Sequence, residues 1–206
     1  MNNSIYYWGT PDTTISFCEK KYGQVYWVAE YNNTYSASVY IVFGFFFLLT
    51  KIKHVGVSMI TLGISTMIMH STLRYYGQWM DECSMLIITY SAIKLINKNS
   101  SNYGYITIIG IYLLVKDYFI LFFLMFFCMQ LYIIYLSYLK NISKIQNIFI
   151  KLYIVCFLLG TICWLVDQFL CKQINDIPFH AAWHILSALG MFYGFLSFLL
   201  KKKIEY

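Results

Sequence analysis

The chain has 206 residues, 60% of them hydrophobic and only 12% charged. A soluble domain is nearer half apolar and a quarter charged, so a single water-soluble core would leave too little polar surface to cover it. The net charge of +6 is scattered between apolar runs without a basic stripe, which argues against nucleic acid and for lipid headgroups as the counter-charge.

In chain order, the first thirty residues hold Asp12, Glu19, Lys20, Lys21 and Glu30. They are too polar for a cleaved signal peptide, so residues 1–32 are predicted to form a polar N-terminal segment. A membrane-crossing helix needs about 20 mostly apolar residues. Seven runs approach that, at 33–50, 55–75, 80–96, 102–115, 118–139, 148–170 and 179–200. The fourth is short, and only Lys116 and Asp117 separate it from the fifth. With no repeat or linker to divide the chain, the prediction is one all-α membrane domain: a seven-transmembrane-helix bundle over 33–200 and a polar tail at 201–206.

Basic residues favour the cytosolic side. With the N-terminus luminal, that side receives Lys51, Lys53, Lys94, Lys98, Lys140, Lys144, Lys151 and Lys201–Lys203, ten in all. Five fall opposite: Lys20, Lys21, Arg74, Lys116 and Lys172. An even number of spans would put Lys201–Lys203 on the wrong side, and this parity retains the fourth span. Cys83, Cys128, Cys156 and Cys163 lie inside spans, whereas Cys18 and Cys171 lie in or beside luminal segments, where a disulfide between them is permitted. Asn2-Asn3-Ser4 and Asn32-Asn33-Thr34 read as glycosylation sequons, the second close to the membrane.

Ionisable groups inside spans are costly and mark functional sites. His70 ends the second span, Asp81 and Glu82 open the third, Asp167 ends the sixth, and His180 and His184 open the seventh. The topology places all of them at one depth on the luminal side. His180-Ala181-Ala182-Trp183-His184 stacks two imidazoles on one helical face, about 6 Å apart, and His70 supplies a third ligand. Three histidines leave a tetrahedral zinc one open position, where a water acquires a pKa near 7. Asp81 is placed to take that water's proton, with Glu82 turned about 100° away on the same helix. The alternative for Asp81 is a carboxylate favoured by a helix N-terminus. His54, beside Lys53 in a predicted cytosolic loop, is read as inert.

These residues resemble the alkaline ceramidases, seven-helix zinc amidases of the endoplasmic reticulum and Golgi. The resemblance rests on Tyr7-Trp8-Gly9, Cys18-Glu19, Ala29-Glu30 and Asn33-Thr34, then Met69-His70-Ser71-Thr72-Leu73 and Met80-Asp81-Glu82. It continues through Asp167 to Cys171 and closes on Phe179 to Leu186. It implies zinc on His70, His180 and His184, and Asp81 as proton carrier in cleavage of ceramide to a sphingoid base and a fatty acid. The family's serine one turn before the first histidine corresponds to Thr66, with Ser65 beside it. The resemblance also implies calcium on the N-terminal segment, held by Glu19, Glu30, the Phe17 carbonyl and the position of Ser16. Ser16 replaces an acid of the family, however, and Lys21 an asparagine. A lysine ammonium there is expected to pair with Glu19 and Glu30 instead. Competing readings are a receptor of the adiponectin and progestin type, which also carries membrane histidines but in the opposite orientation, a hydrolase remodelling glycosylphosphatidylinositol anchors, and a scaffold with structural zinc.

Overall fold

The computed structural model describes residues 6–139, 143–174 and 177–200, with the Ile174 side chain excepted. The sequon at Asn2-Asn3-Ser4, Lys140 and the tail with Lys201–Lys203 lie outside the described residues. Among the described residues there are nine helices and no strand: α1 Tyr31–Ser36, α2 Ser38–Leu48, α3 Lys53–Thr72, α4 Tyr75–Ile96, α5 Gly104–Val115, α6 Phe119–Tyr138, α7 Lys144–Phe169, α8 Cys171–Ile174 and α9 Phe179–Leu199.

The seven longer helices fall one on each of the seven apolar runs, with differences at the edges. The first run is broken at Ala37 into α1 and α2. His54, expected in a loop, lies exposed in the first turn of α3. Four helices, α3, α6, α7 and α9, are long and apolar enough to cross a membrane. At about 1.5 Å per residue, α2 with 11 residues and α5 with 12 fall short of the ~30 Å hydrocarbon core. The 22-residue α4 is long enough, but it carries Asp81, Glu82 and Lys94. Large apolar side chains such as Val42, Leu114, Ile120, Leu131 and Ile162 stand exposed on α2, α5, α6 and α7. So much bare apolar surface is foreign to water-soluble proteins and fits a membrane protein.

Local chemistry sets several element ends. Ser143 and Gln146 form a reciprocal capping box at the start of α7, satisfying two amides that the first turn leaves free. Leu73 closes α3 in the left-handed region, at φ 51°. A non-glycine residue pays a steric cost there, offset by burial of its side chain and by the Asp12 amide, which donates to the Leu73 carbonyl. The resulting two-residue turn brings α4 back antiparallel to α3. Helices α2 and α3 meet backbone to backbone: a Cβ on Gly56 would lie 2.6 Å from the Leu48 amide nitrogen and 2.7 Å from the Gly44 carbonyl oxygen. Small residues permit this approach where no water drives association.

The N-terminal segment lies over the end of the bundle that holds the α3–α4 turn. Asp12 bridges to Arg74 at 2.9 Å and accepts from the Tyr75 amide. The Cys18 amide donates to the buried Asp167 carboxylate at the end of α7. Cys18 is disulfide-bonded to Cys171, with Cα atoms 5.3 Å apart.

Candidate metal centre

Beneath this strap, the last turn of α3 and the first two turns of α9 converge. His70, His180 and His184 are each at least 96% buried, and one nitrogen from each lies within 4.8 Å of the others. Ring centroids are separated by 5.0, 4.9 and 4.6 Å. Three imidazoles buried so closely would face an unfavourable desolvation without a common partner, and they are the donor set that zinc prefers. The residues therefore fit a metal.

Hydrogen-bond bookkeeping fixes which nitrogen two of them offer. His70 Nδ1 lies 2.6 Å from Glu30 Oε2; the carboxylate can only accept, so Nδ1 carries the proton and Nε2 keeps its lone pair. His184 Nδ1 lies 2.8 Å from Ser36 Oγ. The single Ser36 hydroxyl proton goes to the Asn33 carbonyl, 3.0 Å away, so Ser36 accepts from His184 Nδ1–H and again Nε2 is free. His180 Nδ1 is buried without a hydrogen-bond partner among the described residues. The Phe17 ring packs against His180 at 3.9 Å and against His70 at 4.9 Å.

Asp81, in the second turn of α4, is buried and lines the same cavity as the three histidines. Thr66, one turn before His70, approaches its Oδ1 with Oγ1 at 2.5 Å. Ser65, expected at the site beside Thr66, turns away: its hydroxyl donates to the Leu62 carbonyl of its own helix and it does not line the cavity. Glu82 also reaches the cavity but is held by Gln78 Nε2 at 2.7 Å and the Tyr112 hydroxyl at 2.6 Å. It locks α5 to α4. Asp167 binds the Cys18 amide and is absent from the cavity lining. The cavity continues from the histidines between Met85, Phe122, Phe126, Trp164 and Met191.

The residues that the resemblance assigns to calcium are engaged otherwise. Glu19 is spent on the start of α1, accepting from the Asn32 and Asn33 amides at 2.6 and 2.9 Å. Ser16 is exposed, and its carbonyl accepts from Gln168. The Lys21 ammonium stands between Glu30 Oε1 and the Phe17 carbonyl, so the expected pairing of Lys21 with both carboxylates is corrected to Glu30 alone. Calcium takes six to eight oxygens; here they are committed elsewhere and a cation already sits among them. Burial acts to raise the Glu30 pKa, but the hydrogen bond from His70 and the charge and hydrogen bond of the Lys21 ammonium outweigh it and hold the carboxyl below its ordinary range.

Sequence reasoning did not find the roles of Glu30 and Ser36 as partners of the histidines. The sequence links Glu30 only to calcium, and Ser36 carries no signal, being 148 residues from His184.

The arrangement defines an all-helical membrane protein with a buried three-histidine centre at the head of an apolar cavity. The ceramidase family model matches residues 9–204. Among curated proteins, the chain is 26% identical to alkaline ceramidase 3 of Mus musculus, over 90% of this chain and 82% of that protein. It is 24% identical to the alkaline ceramidase of Arabidopsis thaliana, with the same coverage, and 23% identical to the putative alkaline ceramidase dcd3B of Dictyostelium discoideum, over all of this chain and 92% of the relative. The chain belongs to the ceramidase family.

Proposed function

We propose that this protein is a zinc-dependent amide hydrolase that cleaves ceramide to a sphingoid base and a fatty acid. The observation that carries the reading is the convergence of His70, His180, His184 and Asp81 at one end of an apolar cavity in a chain of this family. His70, His180 and His184 would hold the ion. When bound, zinc polarises an amide carbonyl and makes water a nucleophile at neutral pH.

The chain's own residues supply the proton handling. Asp81 takes a proton from the attacking water and returns it to the departing amine nitrogen, so the nitrogen leaves as a neutral amine. Thr66 suits a group that must exist in both protonation states. Its Oγ1 lies 2.5 Å from Asp81 Oδ1 and 2.8 Å from the Leu62 carbonyl, yet it has one proton to donate. With Asp81 ionised, Thr66 donates to the carboxylate. With Asp81 protonated, Thr66 accepts from it and donates to Leu62. Glu30 and Ser36 orient the rings of His70 and His184 through their Nδ1 atoms, as partners of metal-binding histidines do. The aromatic cavity accommodates a hydrocarbon chain and keeps bulk water from the reacting carbonyl.

The same reading places the chain as one seven-span membrane domain of the endoplasmic reticulum or Golgi, N-terminus luminal and C-terminus cytosolic. Its support is the lysine distribution and the Cys18–Cys171 disulfide, which an oxidising lumen sustains. The family match favours an amidase over a receptor. The test is release of sphingoid base from ceramide by purified protein, with and without chelator, and by His184→Ala. Wild type should lose activity with chelator and regain it with zinc, and the variant should be inactive with reduced bound metal. Equal release by wild type and variant refutes the mechanism.

A further inference from the structure

Glu30 is fully buried, and its two oxygens are divided between two tasks. Oε2 receives His70 Nδ1 at 2.6 Å and Asn33 Nδ2 at 3.1 Å. Oε1 receives the Lys21 ammonium, which also donates to the Phe17 carbonyl at 2.7 Å. Lys21 enters from the surface, its side chain 27% exposed against 0% for Glu30. It thus grips two groups that touch the histidines: the carboxylate that orients His70, and the backbone of the residue whose ring packs on His180 and His70. A buried carboxylate is tolerated only when paired and hydrogen-bonded, and an ammonium gathering carboxylate and carbonyl oxygens does the work of a bound cation.

We propose that Lys21 is a built-in cation that replaces a calcium ion in the N-terminal strap and acts as a positioning residue for the metal centre, through Glu30 on His70 and through Phe17 on His180. The proposal rests on the reading of the three histidines as zinc ligands, but not on the substrate. Its first consequence is independence from calcium. Its second is that loss of the ammonium weakens zinc binding although Lys21 touches no ligand directly.

The test uses the full-length protein in detergent or lipid, with zinc affinity read by competition with a chelating chromophore and the unfolding midpoint read with added calcium or a calcium-selective chelator. Wild type should show the same midpoint and zinc affinity in both conditions. Lys21→Met should weaken zinc affinity several-fold, up to about the 10- to 100-fold seen when direct partners of ligand histidines are removed, and Lys21→Arg should restore most of it. Stabilisation of wild type by calcium overturns the proposal. So does a folded Lys21→Met with wild-type zinc affinity. Should Lys21→Met fail to fold, Lys21→Arg and the calcium comparison on wild type still decide the matter. Zinc binding that behaves as expected in a protein releasing no sphingoid base would refute the amidase reading alone.

Discussion

Thr66→Val offers a direct test of how Asp81 carries its proton. Valine keeps the branched shape of threonine and removes the hydroxyl 2.5 Å from Asp81 Oδ1. Both residues are buried, so water has little access to replace the lost donor. A hydrogen bond to a charged group contributes about 1.5–3 kcal/mol. At about 1.36 kcal/mol per tenfold in rate, a bond that matters at the proton-transfer step predicts a fall in kcat of roughly 10- to 150-fold. KM should change less than kcat, because valine keeps the branched shape that Thr66 presents to the cavity and the bond lost is the one to Asp81. Thr66→Ser, which restores a hydroxyl, should recover most of the rate. The assay is steady-state release of sphingoid base by zinc-loaded protein, with metal content measured for each variant. A Thr66→Val protein with normal metal content and a kcat within about twofold of wild type would refute the two-state role assigned to this hydroxyl, since the loss expected is at least several-fold larger.

Two further perturbations probe the support of the centre. Ser36→Ala removes the acceptor of His184 Nδ1 at 2.8 Å and should lower zinc affinity by about 10- to 100-fold, measured by chelator competition, with the unfolding midpoint of the metal-free protein little changed. Gly56→Ala puts a methyl 2.6 Å from the Leu48 nitrogen and 2.7 Å from the Gly44 oxygen. Both obstacles are backbone, so α2 and α3 must separate, at a cost of about 1–3 kcal/mol that should appear as a lower thermal midpoint.

The seven longer helices were legible in the sequence because each falls on a long apolar run. The breaks were less so. Ala37 interrupts the first run without a proline or a glycine, between two serines that are common in helices. What ends α1 there is tertiary: Ser36 is engaged by His184 from α9, and α2 starts where its glycine face can lie on α3. Likewise α4 is helical through Asp81 and Glu82, which a hydropathy window penalises, because Thr66, Gln78 and Tyr112 satisfy both carboxylates inside the bundle. Apolar periodicity reports the average environment of a segment. It does not report the partners that make an exception affordable.

The same distinction governs the site. The three histidines and Asp81 could be gathered from span order alone, since a helix running one way ends, and one running back begins, at the same end of the bundle. Their supports could not, because two carboxylates in the strap, Glu19 and Glu30, look equivalent in the sequence and both lie within reach of Lys21. Their roles separate only when α1 forms. Its first turn leaves amides without intrahelical acceptors, and Glu19 satisfies those of Asn32 and Asn33. Glu30, immediately before the helix, is turned inward to His70 and Asn33, and it is this fully buried charge that needs a cation. Lys21 goes to Glu30, while the oxygens of Glu19 are already taken up by the amides of the helix start. A six-residue helix therefore decides which carboxylate orients the metal ligand and where the lysine must go.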